Sequence, residues 1–198
     1  SLHHEEIRNR TVGIIGYGHI GKEIAKRAAA FDMRIVAFRR SKQEISAPLD
    51  WIGTADQLDK LLSESDFVVV ACDMNEGTIG MIDAQQIAKM KPGGIIINVA
   101  RGQIIAEEAL YNALKNKKIG GAVLDVWYNY IGNNKEEVSP SNLPFERLDN
   151  VILSAHESAS APEQVERRWK FVAENICLAA EGETPKNIVF VGSEVATT

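Results

Sequence analysis

The chain has 198 residues, of which 45% are hydrophobic and 25% charged, an ordinary composition for a globular domain with one substantial core. The net charge of −5 at pH 7 argues against nucleic acid and anionic membranes as partners, because both favour a basic surface. No apolar run approaches the roughly 20 residues of a membrane-spanning helix. Cys72 and Cys177 stand far apart in apolar surroundings, as expected for reduced core residues of a cytoplasmic protein without a metal site.

Strand-like and helix-like segments alternate along the chain. Short β-branched runs without polar alternation predict buried strands, and apolar residues spaced three and four apart predict helices. The predicted strands are 11–17, 34–38, 66–73, 94–100, 120–127 and 150–156, and the predicted helices are 21–31, 54–65, 83–93, 106–118 and 161–182. Thr54 is the predicted N-cap of the second helix, and Pro162 is expected at the start of the last.

Six strands joined by helix-length connections predict an α/β fold, a doubly wound parallel sheet of the Rossmann type with helices on both faces. Residues 128–149 break this pattern, because they are polar and contain Gly132, two adjacent asparagines and two prolines. They predict a long surface loop. A loop of this length inside a compact domain usually has a function.

A glycine-rich turn follows the first predicted strand and opens the first helix. Its pattern, Gly16-x-Gly18-x-x-Gly21, is typical of dinucleotide binding when it stands between a strand and a helix. Gly16 is expected to form the tight turn, Gly18 to let a pyrophosphate approach the backbone, and Gly21 to allow close packing of helix on strand. The amides at the helix start then face the pyrophosphate. The alternative, a glycine turn that binds nothing, is disfavoured by this context.

The end of the second predicted strand indicates which dinucleotide is bound. NAD-binding units carry an Asp or Glu about 20 residues beyond the turn, where the carboxylate accepts hydrogen bonds from ribose hydroxyls. Arg39, Arg40 and Ser41 stand here instead, and a guanidinium binds phosphate but cannot accept a hydrogen bond. The sequence therefore predicts NADP(H), bound through these three residues. The alternative is a solvated basic turn with NAD bound less selectively.

Polar residues follow three further predicted strands, whose carboxyl ends line the crevice where ligands bind in such sheets. They are Arg101 in the segment 98–102, Asp125 and His156. An arginine can fix a carboxylate, an aspartate can lie near the cofactor, and a histidine can exchange a proton near neutral pH. Each alone is more often a surface or structural residue, but together they suit hydride transfer to or from a hydroxyl-bearing carbon.

Four ordered motifs resemble one family of dehydrogenases. The segments GIIGYGHIG, MKPGGIIINVARGQIIAEEAL, GGAVLDVW and LDNVILSAH are similar to the successive signatures of the D-isomer-specific 2-hydroxyacid dehydrogenases, and the similarity runs from about residue 7 to about residue 190. This family includes D-lactate, D-glycerate, phosphoglycerate and formate dehydrogenases and the glyoxylate/hydroxypyruvate reductases. The resemblance implies an NAD(P)-dependent oxidoreductase that acts on a small 2-hydroxy or 2-keto acid.

The resemblance also implies roles for individual residues. Arg101 falls on the residue that binds the substrate carboxylate and polarises the carbonyl, and His156 on the general acid/base that protonates the nascent alkoxide. Asp125 falls on the aspartate near the nicotinamide carboxamide. Arg39 stands where NAD-dependent members have Asp, and NADP-preferring reductases often carry a basic residue there. The predicted cofactor site consists of Gly16, Gly18, His19, Ile20, Gly21, Arg39, Arg40, Ser41, Cys72 and Asp125.

The chain departs from the family pattern at one catalytic position. Members usually place a Glu five residues after the aspartate, where it pairs with the histidine, and Tyr130 stands here instead. Formate dehydrogenases also lack this Glu, so its absence does not exclude hydride transfer. Tyr130 is the third catalytic candidate, because its hydroxyl can hydrogen-bond His156, although it supplies no charge at neutral pH. Glu136, Glu137 and Glu157 are alternative carboxylates.

Family members generally have a long segment ahead of the glycine turn that forms most of a substrate domain. We therefore predict a dinucleotide-binding domain over 1–162 and, over 163–198, a C-terminal helix and tail that pack on a substrate domain missing from this chain. The chain alone is then expected to be weakly active or inactive, because the missing half helps position the substrate. The resemblance also implies a homodimer. Without its partner, the helix 162–182 is expected to expose an apolar surface.

A second class of function stays open, a non-catalytic dinucleotide-sensing interaction protein, because the family also contains corepressors. Arg101 and His156 favour the enzyme, since a sensor does not need both. Tyr130 favours the sensor. A different dehydrogenase or a hydrolase on the same fold is a third and weaker hypothesis, because the fold alone does not determine the reaction.

Overall fold

Seven parallel strands form one sheet in the computed structural model, which describes residues 6–40, 44–130 and 138–188. The strands are β1 Thr11–Ile15, β2 Arg34–Phe38, β3 Trp51–Gly53, β4 Phe67–Val70, β5 Ile95–Asn98, β6 Gly121–Leu124 and β7 Val151–Leu153. The helices are α1 His19–Ala29, α2 Leu58–Glu64, α3 Ala84–Ile87, α4 Glu107–Lys115 and α5 Pro162–Ala180. The strand order is β3-β2-β1-β4-β5-β6-β7, which confirms the predicted doubly wound α/β fold.

The sheet separates two apolar clusters that the helices complete. On one face, α1 contributes Ala25 and Ala28 to a cluster with inward-facing residues of β1 and β2. On the other face, α2, α3 and α4 pack against a larger cluster that includes Leu61 and Leu110. Because both faces of the central strands are covered, β1 is buried at all five positions.

Several predicted boundaries were too wide, and one strand was missed. β3 is only three residues long and ends on a glycine, so its sequence carries no clear strand pattern. The helix predicted over 83–93 ends at Ile87 after a start capped by the Asp83 side chain, and turns fill the remainder. Thr54 is not the N-cap of α2, because its hydroxyl donates to Asp56 Oδ1 and a 3-10 turn precedes the helix. The expected start of α5 at Pro162 is confirmed.

The connection between β6 and β7 is partly a core element. The expectation of a surface loop over 128–149 is wrong at Phe145, which is fully buried, although most of the described residues around it are exposed. Its ring meets Tyr111 edge-on at 5.4 Å between centroids and stacks on Tyr128 at 6.2 Å. Residues 131–137 lie outside the described part of the chain. The aromatic contacts anchor the loop directly ahead of β7.

The chain divides into two compact units, 1–156 and 157–198, whereas the predicted boundary lies after residue 162. In the second unit, α5 exposes one apolar stripe, as expected for this helix. The stripe consists of Val165, Trp169, Val172 and Ile176, whose spacing of three and four places them on one face. Cys177 is also exposed, so its predicted core position is wrong. None of the described helices is long and apolar enough to cross a membrane.

Asp66, which directly precedes β4, is bonded to the starts of β1 and β5 through its side chain and its backbone. Its Oδ2 accepts from the Thr11 backbone N–H at 2.8 Å, and its Oδ1 accepts from Lys91 Nζ at 2.9 Å. Its backbone carbonyl accepts from the N–H of Ile95. Burial raises the pKa of Asp66, but the Thr11 and Lys91 hydrogen bonds and the Arg10 charge outweigh burial, so the pKa lies below its ordinary value.

Asp66→Asn is expected to lower the free energy of unfolding at neutral pH by about 1.5–3 kcal/mol, the range for a hydrogen bond to a charged group. Because the folded-state pKa is depressed, this contribution is present above the unfolded-state pKa of about 3.9 and is lost as pH falls through the folded-state pKa. Denaturant unfolding of both proteins across the acid range measures the difference. A difference that persists unchanged at the lowest pH contradicts the assignment.

Asp59→Asn is the matched control for this measurement. Asp59 lies 3.6 Å from Lys89, and both side chains are 52% exposed, whereas that of Asp66 is 20% exposed. Exposed ion pairs contribute at most about 1 kcal/mol, so the control is expected to unfold nearly as the wild type does.

Candidate functional site

The glycine turn follows β1, which lies in the sheet between β2 and β4. The strand order reverses at β1, because β2 and β3 extend the sheet to one side and β4 to β7 extend it to the other. Gly16 has a φ of +102°, and a Cβ added there would lie 2.5 Å from the backbone nitrogen of Cys72. Its N–H donates to the Phe38 carbonyl at 2.9 Å. The turn is therefore pressed against the carboxyl ends of β2 and β4, where crevices of such sheets bind ligands. Burial raises the pKa of the Cys72 thiol to about 11, so this neighbour stays neutral.

The start of α1 offers open backbone. Gly18 is the N-cap, and a Cβ added there would meet no atom of the described residues within 4 Å. Within the described part of the chain, no side chain caps this helix, and its first turn contains no acidic residue. A Cβ at Gly21 would clash with the Gly16 carbonyl oxygen, so the helix packs closely on the turn. His19 and Ile20 are exposed beside these amides, and the arrangement fits a phosphate group at the helix start.

A basic segment continues β2 directly beside this turn. Phe38 ends the strand, and Arg39 follows with its backbone N–H bonded to the Gly53 carbonyl at 3.0 Å. Arg39 is half-buried and Arg40 is exposed. Ser41, the third predicted phosphate ligand, lies outside the described residues. The positions next to the glycine turn thus carry positive charge where an NAD site carries a carboxylate.

The end of β5 is closed by Asn98, which is buried. Its amide nitrogen donates to the Arg101 carbonyl at 2.9 Å, and its Oδ1 accepts from the Ala100 N–H at 3.0 Å. The exposed guanidinium of Arg101 donates to the Ala100 carbonyl at 2.6 Å. A guanidinium has five N–H donors, so further donors remain for a ligand carboxylate. A Cβ on Gly102 would clash with the Trp127 carbonyl, which shows that this turn packs on the segment after β6.

The segments after β6 and β7 are bonded to each other. The buried Asp125 accepts from the Ser154 hydroxyl at 2.7 Å, and the Ser154 N–H donates to the Leu124 carbonyl at 3.0 Å. Trp127 Nε1 donates to the Ser154 carbonyl at 2.9 Å. His156 follows two residues later, exposed and with a φ of +59°. These contacts bring Asp125 and the segment that carries His156 together.

Tyr130 lies beside His156 without being hydrogen-bonded to it. The two ring centroids are 5.5 Å apart at an angle of 56°. The hydroxyl of Tyr130 accepts instead from the Trp127 backbone N–H at 3.0 Å. The expected hydrogen bond is thus absent among the described residues, although the expected proximity is present. Of the alternative carboxylates, Glu136 and Glu137 lie outside the described residues, and Glu157 belongs to the unit 157–198.

Sequence reasoning gave no role to three residues that organise this site, Asn98, Trp127 and Ser154. Each stands at a strand end or within three residues of one, and each is adjacent in sequence to a candidate functional segment. A polar side chain in that position is a candidate support for the residues that follow it. Among the residues that the structure describes, no group of His, Cys, Asp or Glu side chains could hold a metal ion.

The comparisons with known proteins identify the family. The model described as "D-isomer specific 2-hydroxyacid dehydrogenase, NAD binding domain" matches residues 1–158. The glyoxylate reductase of Korarchaeum cryptofilum is 37% identical over 187 residues, which cover 93% of this chain and 53% of that protein. The chain spans about half the length of the curated reductases it matches.

Solved structures agree in fold and differ in cofactor. The NADPH-dependent glyoxylate/hydroxypyruvate reductase from Sinorhizobium meliloti, in complex with NADP and sulfate, matches with a TM-score of 0.79 at 28% identity. The NAD-complexed D-isomer specific 2-hydroxyacid dehydrogenase from Lactobacillus delbrueckii ssp. bulgaricus matches with a TM-score of 0.80 at 28% identity. Both matches cover 96% of this chain and 58% of the other. The chain therefore belongs to the D-isomer-specific 2-hydroxyacid dehydrogenases and contains their NAD-binding domain.

Proposed function

We propose that this chain is the cofactor-binding part of an NADP(H)-preferring 2-keto-acid reductase. The reaction is hydride transfer between nicotinamide and C2 of a small 2-hydroxy or 2-keto acid. The observation that carries the cofactor preference is the basic pair Arg39-Arg40, which follows β2 at the strand end bonded to the glycine turn. Guanidinium groups attract a 2′-phosphate and offer no acceptor to a ribose hydroxyl.

The glycine turn supports the binding of the pyrophosphate. Gly18 leaves open space at the start of α1, and the helix start carries partial positive charge. His19 and Ile20 border this space, and Cys72 lies against the turn as a neutral thiol. Because the first turn of α1 carries no acidic residue, the backbone donors at its start suit an anion. When bound, the dinucleotide supplies or accepts the hydride.

The residues after β5, β6 and β7 supply the remaining chemistry in this proposal. Arg101 binds the carboxylate of the 2-keto acid and polarises its carbonyl group. His156 holds the proton that goes to the carbonyl oxygen as C2 receives the hydride, and takes it back in the reverse direction. Asp125 would lie near the carboxamide of a bound nicotinamide, as the resemblance implies. Tyr130 borders the His156 ring and replaces the family's carboxylate as its neighbour.

Titration of this chain with NADPH and with NADH, followed by nucleotide fluorescence, tests the cofactor preference. We expect tighter binding of NADPH. Arg39→Asp is expected to weaken NADPH binding about tenfold to a hundredfold, the equivalent of one or two lost charge-assisted hydrogen bonds, and to leave NADH binding unchanged or tighter.

Arg147→Asp is the matched control, because it makes the same charge change at a side chain that is 80% exposed. Its NADPH dissociation constant is expected to equal that of the wild type. Equal affinity of the wild-type chain for NADPH and NADH would show that Arg39 and Arg40 do not recognise the 2′-phosphate.

In this proposal the protein is a homodimer, as the resemblance implies, and lies in the cytoplasm, as its reduced cysteines favour. Its ligand is a small 2-hydroxy or 2-keto acid, and neither nucleic acid nor a membrane is its partner. The boundary after residue 162, and the packing of the following helix and tail on a substrate domain, also stay predictions. The chain alone is expected to bind cofactor and to show weak turnover or none.

A non-catalytic dinucleotide sensor is the second candidate. Two observations favour it, the tyrosine in place of the family's carboxylate and the exposed apolar stripe on α5. Exposed apolar stripes of this kind mark contact surfaces. The two candidates differ in whether the protein that binds the dinucleotide also reduces a 2-keto acid.

A further inference from the structure

We propose that Trp127 is a positioning residue for His156. Its two N–H groups hold the segment that leads into His156 and the tyrosine ring that borders it. The inference rests on the proposed function, because it takes His156 as the acid/base. Trp127 itself touches neither substrate nor cofactor in this role and acts through the residues it holds.

The backbone of His156 needs external support. Its φ of +59° lies in the left-handed region, which residues other than glycine adopt rarely. Such conformations persist only where the surrounding structure holds them, and they concentrate at functional sites. β7 ends at Leu153, so no strand pairing reaches His156. Its placement therefore depends on how residues 154–156 are held.

Ser154 is the anchor of this segment, with three hydrogen bonds to residues 124–127. Its N–H and hydroxyl donate to Leu124 and to Asp125, which prolongs the pairing of β6 and β7 by one residue. Its carbonyl accepts from Trp127 Nε1 at 2.9 Å. The indole bond holds the peptide group that continues toward His156, and so it limits the rotation of that peptide.

The backbone of Trp127 holds Tyr130, whose ring borders His156. Its N–H donates to the Tyr130 hydroxyl at 3.0 Å, and the Tyr130 ring lies 5.5 Å from the His156 ring. Its carbonyl packs against Gly102, the neighbour of Arg101, so closely that a Cβ there would clash. Trp127 therefore connects the turn that carries Arg101 with the segment that carries His156. Their relative placement is what a reaction on a 2-keto acid requires.

Replacing Trp127 by phenylalanine tests the indole hydrogen bond separately from the packing of the aromatic ring. Trp127→Phe keeps an aromatic ring and the backbone N–H, and it removes the indole N–H that holds Ser154. Trp169→Phe is the matched control, since Trp169 is exposed on α5 and loses the same group. Thermal unfolding of both variants reports whether the fold is retained.

The first readout uses this chain itself. The three-bond coupling between the amide and α protons of His156 depends on φ, and NMR measures it without any reaction. We expect the wild-type coupling to match the left-handed φ, the Trp127→Phe coupling to move toward that of an extended residue, and the Trp169→Phe coupling to match the wild type. A coupling that does not change in Trp127→Phe overturns the proposal.

The second readout is the reduction of glyoxylate by the complete protein. Trp127→Phe is expected to lower kcat roughly fivefold to tenfold, the equivalent of one lost neutral hydrogen bond, while the KM for glyoxylate and the Kd for NADPH stay within about twofold. A lower melting temperature with unchanged kcat and unchanged coupling would show a purely structural role and overturn the proposal.

Two further outcomes are informative. If the wild-type protein binds a dinucleotide but reduces no 2-keto acid, the proposed function is wrong, and the coupling at His156 alone decides whether Trp127 positions this residue. If Trp127→Phe does not fold, hydrogen exchange of the indole protons in the wild-type chain tests whether the Trp127 indole N–H is held in a hydrogen bond. A Trp127 indole proton that exchanges as fast as that of the exposed Trp169 would overturn the proposal.

Discussion

Gly16→Ala is expected to destabilise the fold severely, whereas Gly18→Ala, two residues later, is expected to leave the fold intact and to weaken dinucleotide binding. The two glycines share a turn and differ in what surrounds them. Gly16 has a φ of +102°, and an added Cβ would lie 2.5 Å from the backbone nitrogen of Cys72 and 2.6 Å from the carbonyl carbon of Ala71. Both clashes involve strand-end backbone that cannot move aside easily.

The expected loss for Gly16→Ala is about 2–5 kcal/mol, the sum of a left-handed backbone penalty and overpacking. Gly18 has a φ of −93°, and a Cβ added there would meet none of the atoms that the structure describes within 4 Å. Its replacement by alanine at a helix N-cap is expected to change the free energy of unfolding by less than about 1 kcal/mol. The added methyl group would occupy the space through which a pyrophosphate approaches, so the Kd for NADPH is expected to rise at least about tenfold.

Denaturant unfolding and NADPH titration of both variants measure these two effects separately. Wild-type affinity in Gly18→Ala would show that the turn is not the pyrophosphate site. Wild-type stability in Gly16→Ala would contradict the geometry of the turn itself. The pair distinguishes a glycine that the fold requires from one that the ligand requires.

The glycine turn was the most predictable part of the molecule, because its requirements are local. A strand, a turn with positive φ and a helix follow one another within a few residues, and each glycine has a steric reason that can be stated from the motif. β3 was missed for the opposite reason. Its three residues, Trp51–Gly53, form a strand because Phe38 and its neighbours in β2 offer a pairing edge, and no local pattern records that edge.

The burial of Phe145 was also not predictable from local sequence. Phe145 stands in a polar segment with a proline before it and charged residues after it, which favours a surface loop. Its burial depends on Tyr111 from α4 and Tyr128 after β6, which are distant in sequence. Packing between segments that are far apart in sequence leaves no periodicity to detect.

The candidate functional residues of the site were predictable, and the hydrogen bonds that hold them in place were not. Arg101, Asp125 and His156 follow three strands that prove to be adjacent, and polar residues at the carboxyl ends of adjacent strands meet at one edge of the sheet. The bonds among Asp125, Trp127 and Ser154 depend on side-chain directions after the strands end. Local propensity does not determine these directions, so the supporting residues became visible only in the structure.

His156→Gln is expected to lower the kcat of the complete protein for glyoxylate about a hundredfold to ten-thousandfold, the usual contribution of a general acid/base. Glutamine keeps a side chain with a hydrogen-bond donor and acceptor but cannot exchange a proton near neutral pH. The Kd for NADPH is expected to stay at the wild-type value, because the glycine turn follows β1 and His156 follows β7, four strands away in the sheet. Steady-state kinetics and fluorescence titration measure the two quantities.

His156→Asn is the matched companion, because asparagine adopts a left-handed backbone more readily than most residues. Loss of turnover in both variants with unchanged NADPH affinity assigns the effect to the missing imidazole rather than to the φ of +59°. Turnover that survives in both variants would exclude His156 as the acid/base. A wild-type protein that binds NADPH tightly but reduces no 2-keto acid would instead favour the sensor, since Arg101 and His156 would then have no reaction to serve.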